Sequence, residues 1–243
     1  MNRRHEIHGS ATSVGAPSSS RLGHADPRAL HSDDDAPIPL PRLVLVTDRI
    51  AAARRGADLV EVICSALSAG APAVLFRERD LESSERRRLG HRVAEVVRQA
   101  GAMLAVSADA CLARELGAGV LHLPEGSPRP TGWHGRVGVS CHDVEQILRA
   151  GEAGFDYVTL SPVYPSISKV GHHPDEPLAG LRKLSRAGVG HPPVWALGGV
   201  SADRIPELIR AGATGVAVCG AVMSADDPAA ATRELLRVME GCT

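Results

Sequence analysis

The residues of this chain best suited to chemistry are binders of anions. Leu197-Gly198-Gly199-Val200 and Cys219-Gly220-Ala221-Val222 carry glycine where backbone N–H groups could approach ligand oxygens closely. Tight turns are the other use of the same residues. Arg77 and Arg79 flank Glu78, and a guanidinium can grip a phosphate with two hydrogen bonds. Small hydroxyls occur at Ser107, Ser140 and Ser161, and imidazoles at His122 and His142. The stretch from Ser161 to His173 adds Ser166, Ser168 and Lys169, which suit a phosphate or pyrophosphate. A solvated loop is the plainer reading of that stretch. No metal ligands are expected. His172 and His173 are adjacent, so their side chains do not converge easily, and no acid or Cys stands at ligand spacing.

These side chains also share a position in the pattern. From Leu43 onward, short apolar runs alternate with longer periodic segments. The expected strands are Leu43–Thr47, Ala73–Arg77, Met103–Ser107, Val120–Leu123, Val137–Ser140, Tyr157–Ser161, Val194–Leu197 and Gly215–Cys219. The clearest helix is Ser84–Gln99, with Leu89, Val93, Val96 and Val97 on one face. Gly101, Gly117, Gly154 and Gly212 are expected helix stops. Another helix carries Ile205, Leu208 and Ile209. Pro206 should lie in its first turn, which favours Asp203 over Ser201 as the cap.

Strand–helix alternation implies a parallel sheet. Eight such units favour an α/β fold of the closed (β/α)8 TIM-barrel type over an open sheet. No G-x-G-x-x-G follows the first strand, which argues against a dinucleotide-binding fold. In such barrels the chemistry sits at the C-terminal ends of the strands. That rule selects Thr47, Asp48, Arg77, Glu78, Arg79, Ser107, His122, Ser140, His142, Ser161, Gly198, Gly199 and Gly220. The last two loops, with their glycines, are where barrels often hold phosphate.

The chain has 243 residues and a formal net charge of −1, so one barrel fits and charge gives no reason to expect a nucleic-acid or membrane partner. Hydrophobic residues make up 44% and aromatics 2%, so the core is expected from Ala, Val, Leu and Ile. Arg86-Arg87-Arg88 reads as a solvated helix face. Residues 1–41 are rich in Ser, His, Pro and Asp without an apolar period, and are expected to be a disordered extension before a 42–243 barrel. The five cysteines include no C-x-x-C pair, and no apolar run has membrane-spanning length. A reducing cytoplasm is the expected location.

Several segments then become recognisable. Leu45-Val46-Thr47-Asp48-Arg49, Leu75-Phe76-Arg77-Glu78-Arg79-Asp80, Val137-Gly138-Val139-Ser140-Cys141-His142 and Ser161-Pro162-Val163-Tyr164-Pro165-Ser166 to Lys169 occur in order. Together with Ala196-Leu197-Gly198-Gly199-Val200, they resemble the thiamine phosphate synthase/TenI family across the whole barrel. The resemblance implies a small-molecule thiazole phosphate as ligand, held by Gly199 and Gly220. It implies that Ser140, Ser166, Ser168, Lys169 and Arg77 line a pyrophosphate region. Synthases of the family join a pyrimidine pyrophosphate to a thiazole phosphate using Mg2+. Their TenI relatives do other work on the same pocket, such as isomerising the thiazole.

This chain departs from the synthase pattern at the metal. The resemblance puts Asp at Ala108 and at Ser127, so both expected Mg2+ carboxylates are missing. Asp109 and Glu125 are the nearest substitutes. The first expectation is therefore a TenI-like thiazole tautomerase acting on a thiazole carboxylate phosphate without metal, with His122 or His142 moving the proton. The alternatives are a thiamine phosphate synthase with a remodelled Mg2+ site, and a non-catalytic module that binds a thiamine intermediate. No cofactor is expected unless the synthase alternative holds. A homo-oligomer is compatible with each reading.

Overall fold

Eight short apolar runs pair side by side through parallel ladders. They are β1 (Leu43–Val46), β2 (Ala73–Phe76), β3 (Met103–Ser107), β4 (Val120–Leu123), β5 (Arg136–Cys141), β6 (Tyr157–Leu160), β7 (Val194–Leu197) and β8 (Gly215–Val218). The order is sequential, and β8 returns to pair with β1, so the sheet closes into a barrel. The computed structural model describes residues 40–164, 177–187 and 190–242. The expected extension falls on residues of which 1–39 lie outside those described. Leu40 and Pro41 already belong to the barrel: Leu40 packs against its interior and the Pro41 carbonyl accepts from Trp195 Nε1 at 2.9 Å.

The connecting helices are α1 (Arg49–Ala53), α2 (Leu59–Ser68), α3 (Ser83–Gln99), α4 (Ala110–Glu115), α5 (Val144–Glu152), α6 (Pro177–Ala187), α7 (Ile205–Arg210), α8 (Gly220–Met223) and α9 (Pro228–Glu240). Aspartates open five of them. Asp48, Asp58, Asp109, Asp143 and Asp227 each accept a hydrogen bond from a backbone N–H in the first turn. Each such cap contributes about 1 kcal/mol and fixes where the chain leaves the preceding segment. Gly101, Gly117, Gly154 and Gly212 end their helices with positive φ, as expected.

One cap expectation is corrected. Asp203 does not cap a helix. Ala202–Arg204 form a single 3-10 turn flanked by Ser201, and α7 starts only at Ile205. Pro206 does lie in the first turn, so its missing N–H costs no helical bond. The arginine run is also corrected at one residue. Arg86 is largely buried, donates to the Ser107 carbonyl at 2.5 Å and pairs with Asp109 at 3.3 Å. It braces the end of β3 against α3, whereas Arg87 and Arg88 face solvent.

Two apolar layers hold the fold. One lies between the strands and the helices, with Val93 and Val97 of α3 fully buried in it. The other fills the barrel itself: Val46, Leu75, Ala105, Val120, Tyr157, Trp195 and Ala217. An aliphatic core was expected, yet two of the few aromatics occupy this interior. Tyr157 and Trp195 meet edge to face with centroids 5.4 Å apart. Glycine opposite each makes the room. Gly138 pairs in register with Tyr157, and a Cβ there would lie 2.1 Å from the phenol ring. Gly215 pairs with Trp195, and a Cβ there would lie 2.6 Å from its indole nitrogen.

That geometry predicts a large effect of one methyl group. Gly138→Ala forces the Tyr157 ring or the β5–β6 ladder to move, at a cost of about 1–3 kcal/mol or more. For a chain of this size the melting temperature should fall by roughly 3–10 °C. An unchanged melting curve would show that the interior is not packed as described.

Candidate functional site

The C-terminal ends of the parallel strands converge on the mouth of the barrel. Arg77 follows β2, with its backbone N–H held by Thr47 Oγ1 at 2.9 Å. The side chain is exposed and has no ion-pair partner among the described residues. Arg77 stands at the C-terminal end of β2, on the rim of the mouth, and its charge acts on both His122 on β4 and Cys219 beyond β8. Glu78, the next residue, points away from it. It is buried and accepts from Arg49 N and Nη1, each at 3.2 Å, which ties the end of β2 to α1. Arg79 is exposed beyond the strand. Asp48 is occupied as the α1 cap.

Inside the same mouth lies a polar cluster. His122 is buried, with Nδ1 3.0 Å from Tyr157 Oη and Nε2 3.1 Å from Ser140 Oγ. Thr159 Oγ1 stands 3.4 Å from the same Nε2. Ser107 is its neighbour in register on β3. Burial first, and then the Arg77 charge, push the His122 imidazole down to about 4. The ring is neutral at pH 7 and a weak base. Tyr157 and Thr159 were not among the expected site residues. Their signal was the period of β6, which turns residues 157 and 159 inward together, opposite Gly138 and Ser140.

The neutral histidine has a consequence for stability. An unfolded His takes up a proton near pH 6.5, whereas the folded ring resists until about 4. This contribution is complete above pH 6.5. It is lost as the pH falls from 6.5 towards 4, by up to about 1.4 kcal/mol per unit. Urea midpoints measured across that window should fall less steeply for His122→Gln than for wild type. Equal slopes would mean that His122 is not buried in a neutral state.

The second histidine sits differently. His142 is half-buried after β5, and its Nδ1 donates to the Ser161 carbonyl. Its Nε2 stands 3.4 Å from Glu125 Oε2. Gln146 bridges the pair, accepting from the His142 N–H at 2.6 Å and donating to Glu125. His122 and His142 are thus separate units, one inside the barrel and one on its rim. A groove of about 520 Å3 on the helical exterior, lined by Arg49, Ile50, Ala53, Arg54, Asp58 and Leu89 among others, contains none of these groups.

The glycine loops divide in role. Gly198 has φ +99°, and a Cβ there would lie 2.8 Å from Pro162 Cα, so it lets the loop after β7 pack on the start of the loop after β6. Gly199 has φ +61°, and its carbonyl accepts from Arg204 Nη1 at 2.6 Å. Arg204 also covers the Tyr164 ring at 4.4 Å, and Tyr164 Oη donates to Glu207 at 3.1 Å. Gly220 opens α8, and a Cβ there would meet nothing within 4 Å. Cys219 beside it is no ready nucleophile, since burial pushes its thiol up to about 12. Ser166, Ser168 and Lys169 lie outside the described residues.

The family model for thiamine monophosphate synthase matches residues 43–222. The chain belongs to that family. A thiamine-phosphate synthase of Acidothermus cellulolyticus is 36% identical over 202 residues, covering 79% of this chain and 92% of the relative. One of Bacillus velezensis is 34% identical over 186 residues, covering 73% and 83%. The structure of a thiamine phosphate pyrophosphorylase from Pyrococcus furiosus superposes with a TM-score of 0.70 at 29% identity, covering 83% of this chain and 96% of that one.

Membership raises the question of Mg2+, which needs oxygen ligands. The described residues do not fit a resident ion. Ala108 and Ser127 stand where the resemblance puts carboxylates. Ala108 holds φ +62°, a conformation that Asn and Asp adopt more readily than Ala. Asp109 is committed to the Leu112 N–H and to Arg86, and Glu125 to Gln146 and His142. No group of three or more His, Cys, Asp or Glu at metal-holding spacing occurs among the described residues. Nor is any helix among them long and apolar enough to cross a membrane.

Proposed function

We propose that this chain works in thiamine biosynthesis as a thiamine-phosphate synthase, joining a pyrimidine pyrophosphate to a thiazole phosphate. Relatives of that name span most of the barrel at 34–36% identity. The observation that carries the reading onto this chain is Arg77, an exposed residue on the rim of a mouth of hydroxyls and glycine loops, without an ion-pair partner among the described residues. As pyrophosphate leaves, negative charge develops on its oxygens. Arg77 and the Ser140 hydroxyl would stabilise it, and donors preorganised for a developing charge are worth more there than in water. Gly199 and Gly220 would hold the thiazole phosphate. A reducing compartment such as the cytoplasm fits five free cysteines.

Ala108 and Ser127 favour a second reading, a TenI-like tautomerase that shifts a proton on a thiazole carboxylate phosphate without metal. For that work His142 is the better placed imidazole. It is on the rim, its tautomer is set by the Ser161 carbonyl, and a carboxylate stands beside Nε2. The two readings separate in one experiment. The full chain is incubated with each substrate set, with and without Mg2+, and products are followed by mass and by pyrophosphate release. Coupled product with stoichiometric pyrophosphate supports the synthase. Isomerised thiazole phosphate alone, unaffected by chelator, would replace that reading with the tautomerase.

A further inference from the structure

Tyr157 carries a hydroxyl into the barrel interior, and among the described residues its Oη meets one hydrogen-bond partner, His122 Nδ1. A phenol has one proton to donate. If the buried hydroxyl only accepted, that proton would have no partner. Tyr157 is therefore the donor, and Nδ1 the unprotonated nitrogen. The ring is neutral, so its single proton is on Nε2. From there it points at Ser140 Oγ, 3.1 Å away, with Thr159 Oγ1 as a longer second acceptor. A serine oxygen that accepts from His122 must turn its own proton elsewhere. Ser140 is half-buried at the end of β5, so that proton faces the mouth.

We propose that Tyr157 and His122 are positioning residues that fix Ser140 as a hydrogen-bond donor towards the mouth, making the site selective for an anionic oxygen. In the opposite tautomer, Ser140 would donate to Nε2 and present only lone pairs, which repel an anion. The barrel is built for this arrangement. Gly138 clears the space that the Tyr157 ring occupies, and the imidazole stacks on that ring at 5.5 Å with planes 29° apart. The direction of donation thus runs from the interior phenol, through a neutral imidazole, to the rim hydroxyl.

The proposal rests on the reading that the substrate's anion meets Ser140, and the test keeps the two apart. Nitrogen-15 NMR of the full chain, labelled at histidine, is expected to show one ring that stays neutral between pH 5 and 8 with its proton on Nε2. That signal should disappear in His122→Gln. If the signal that His122→Gln removes belongs instead to a ring protonated at Nδ1, as His142 is towards the Ser161 carbonyl, the proposal is overturned. Inorganic pyrophosphate, titrated without metal, should bind Ser140→Ala about tenfold more weakly than wild type, the loss expected for one hydrogen bond to a charged group. Tyr157→Phe should weaken binding about three- to tenfold in wild type and add nothing in Ser140→Ala. An equal loss in both backgrounds, or no pyrophosphate binding by wild type, would overturn it. If both arms come out as expected but neither substrate set turns over, the catalytic reading fails and the positioning role stands.

Discussion

Arg77→Gln is expected to lower kcat/KM by about 10²–10³-fold, the loss seen when one preorganised donor to developing charge is removed. The melting temperature should stay close to that of wild type. Both halves follow from where Arg77 stands. The interaction that anchors it uses its backbone N–H on Thr47 Oγ1, which the substitution keeps. The side chain is exposed, and surface changes that break no internal contact usually cost within about 0.5 kcal/mol. A second readout accompanies the first. After burial, the Arg77 charge is the other cause that lowers His122, so its removal should raise the pH at which that ring takes up a proton. Arg77→Lys should recover only part of the activity, since an ammonium cannot make the two parallel bonds of a guanidinium. Full activity in Arg77→Gln would remove this residue from the site.

The second large effect separates two glycines that look alike in sequence. Gly198→Ala should destabilise the barrel. Its φ of +99° disfavours any side chain, and the added methyl would meet Pro162 Cα and Cβ at 2.8 Å. Backbone strain and overpacking each cost about 1–3 kcal/mol, so a drop of roughly 5–15 °C in melting temperature is expected. Gly220→Ala should behave in the opposite way. The space is open, and Ala is a better helix former than Gly at the start of α8. Stability should hold or rise slightly, while binding of a phosphate that needs close approach to that backbone weakens. If Gly198→Ala melts like wild type and loses only ligand affinity, Gly198 is a ligand-binding glycine and not a packing one.

Much of the barrel is legible in the sequence, because its two signals are local. The strand runs end in chain order, and the structure moves each boundary by at most one residue, as at Thr47 and Arg77. Helix-ending glycines are fixed by backbone sterics, so Gly101 or Gly212 can be placed from spacing alone. What is not legible depends on partners far apart in sequence. Composition says how few aromatics there are, but not that Tyr157 and Trp195 are the ones inside, facing Gly138 and Gly215 across neighbouring strands. Arg86 belongs to a charge run, and only its distance to the Ser107 carbonyl shows that it is a brace. Strand-end position groups Arg77, His122 and Ser140 at the barrel mouth, and the structure sets His122 Nε2 3.1 Å from Ser140 Oγ. Position alone cannot tell that Glu78 is a structural tie, that Gly198 packs against Pro162, or that His122 is neutral and enclosed. Those distinctions arise from burial and hydrogen-bond partners, which strand position does not encode.

On the proposed function, the barrel mouth beside Arg77 receives the anionic end of the substrate. A crystal structure of the full chain soaked with inorganic pyrophosphate tests it most directly. The expected result is pyrophosphate within hydrogen-bond reach of both the Arg77 guanidinium and Ser140 Oγ. Pyrophosphate bound elsewhere on the molecule, with those two groups left bare, would contradict it.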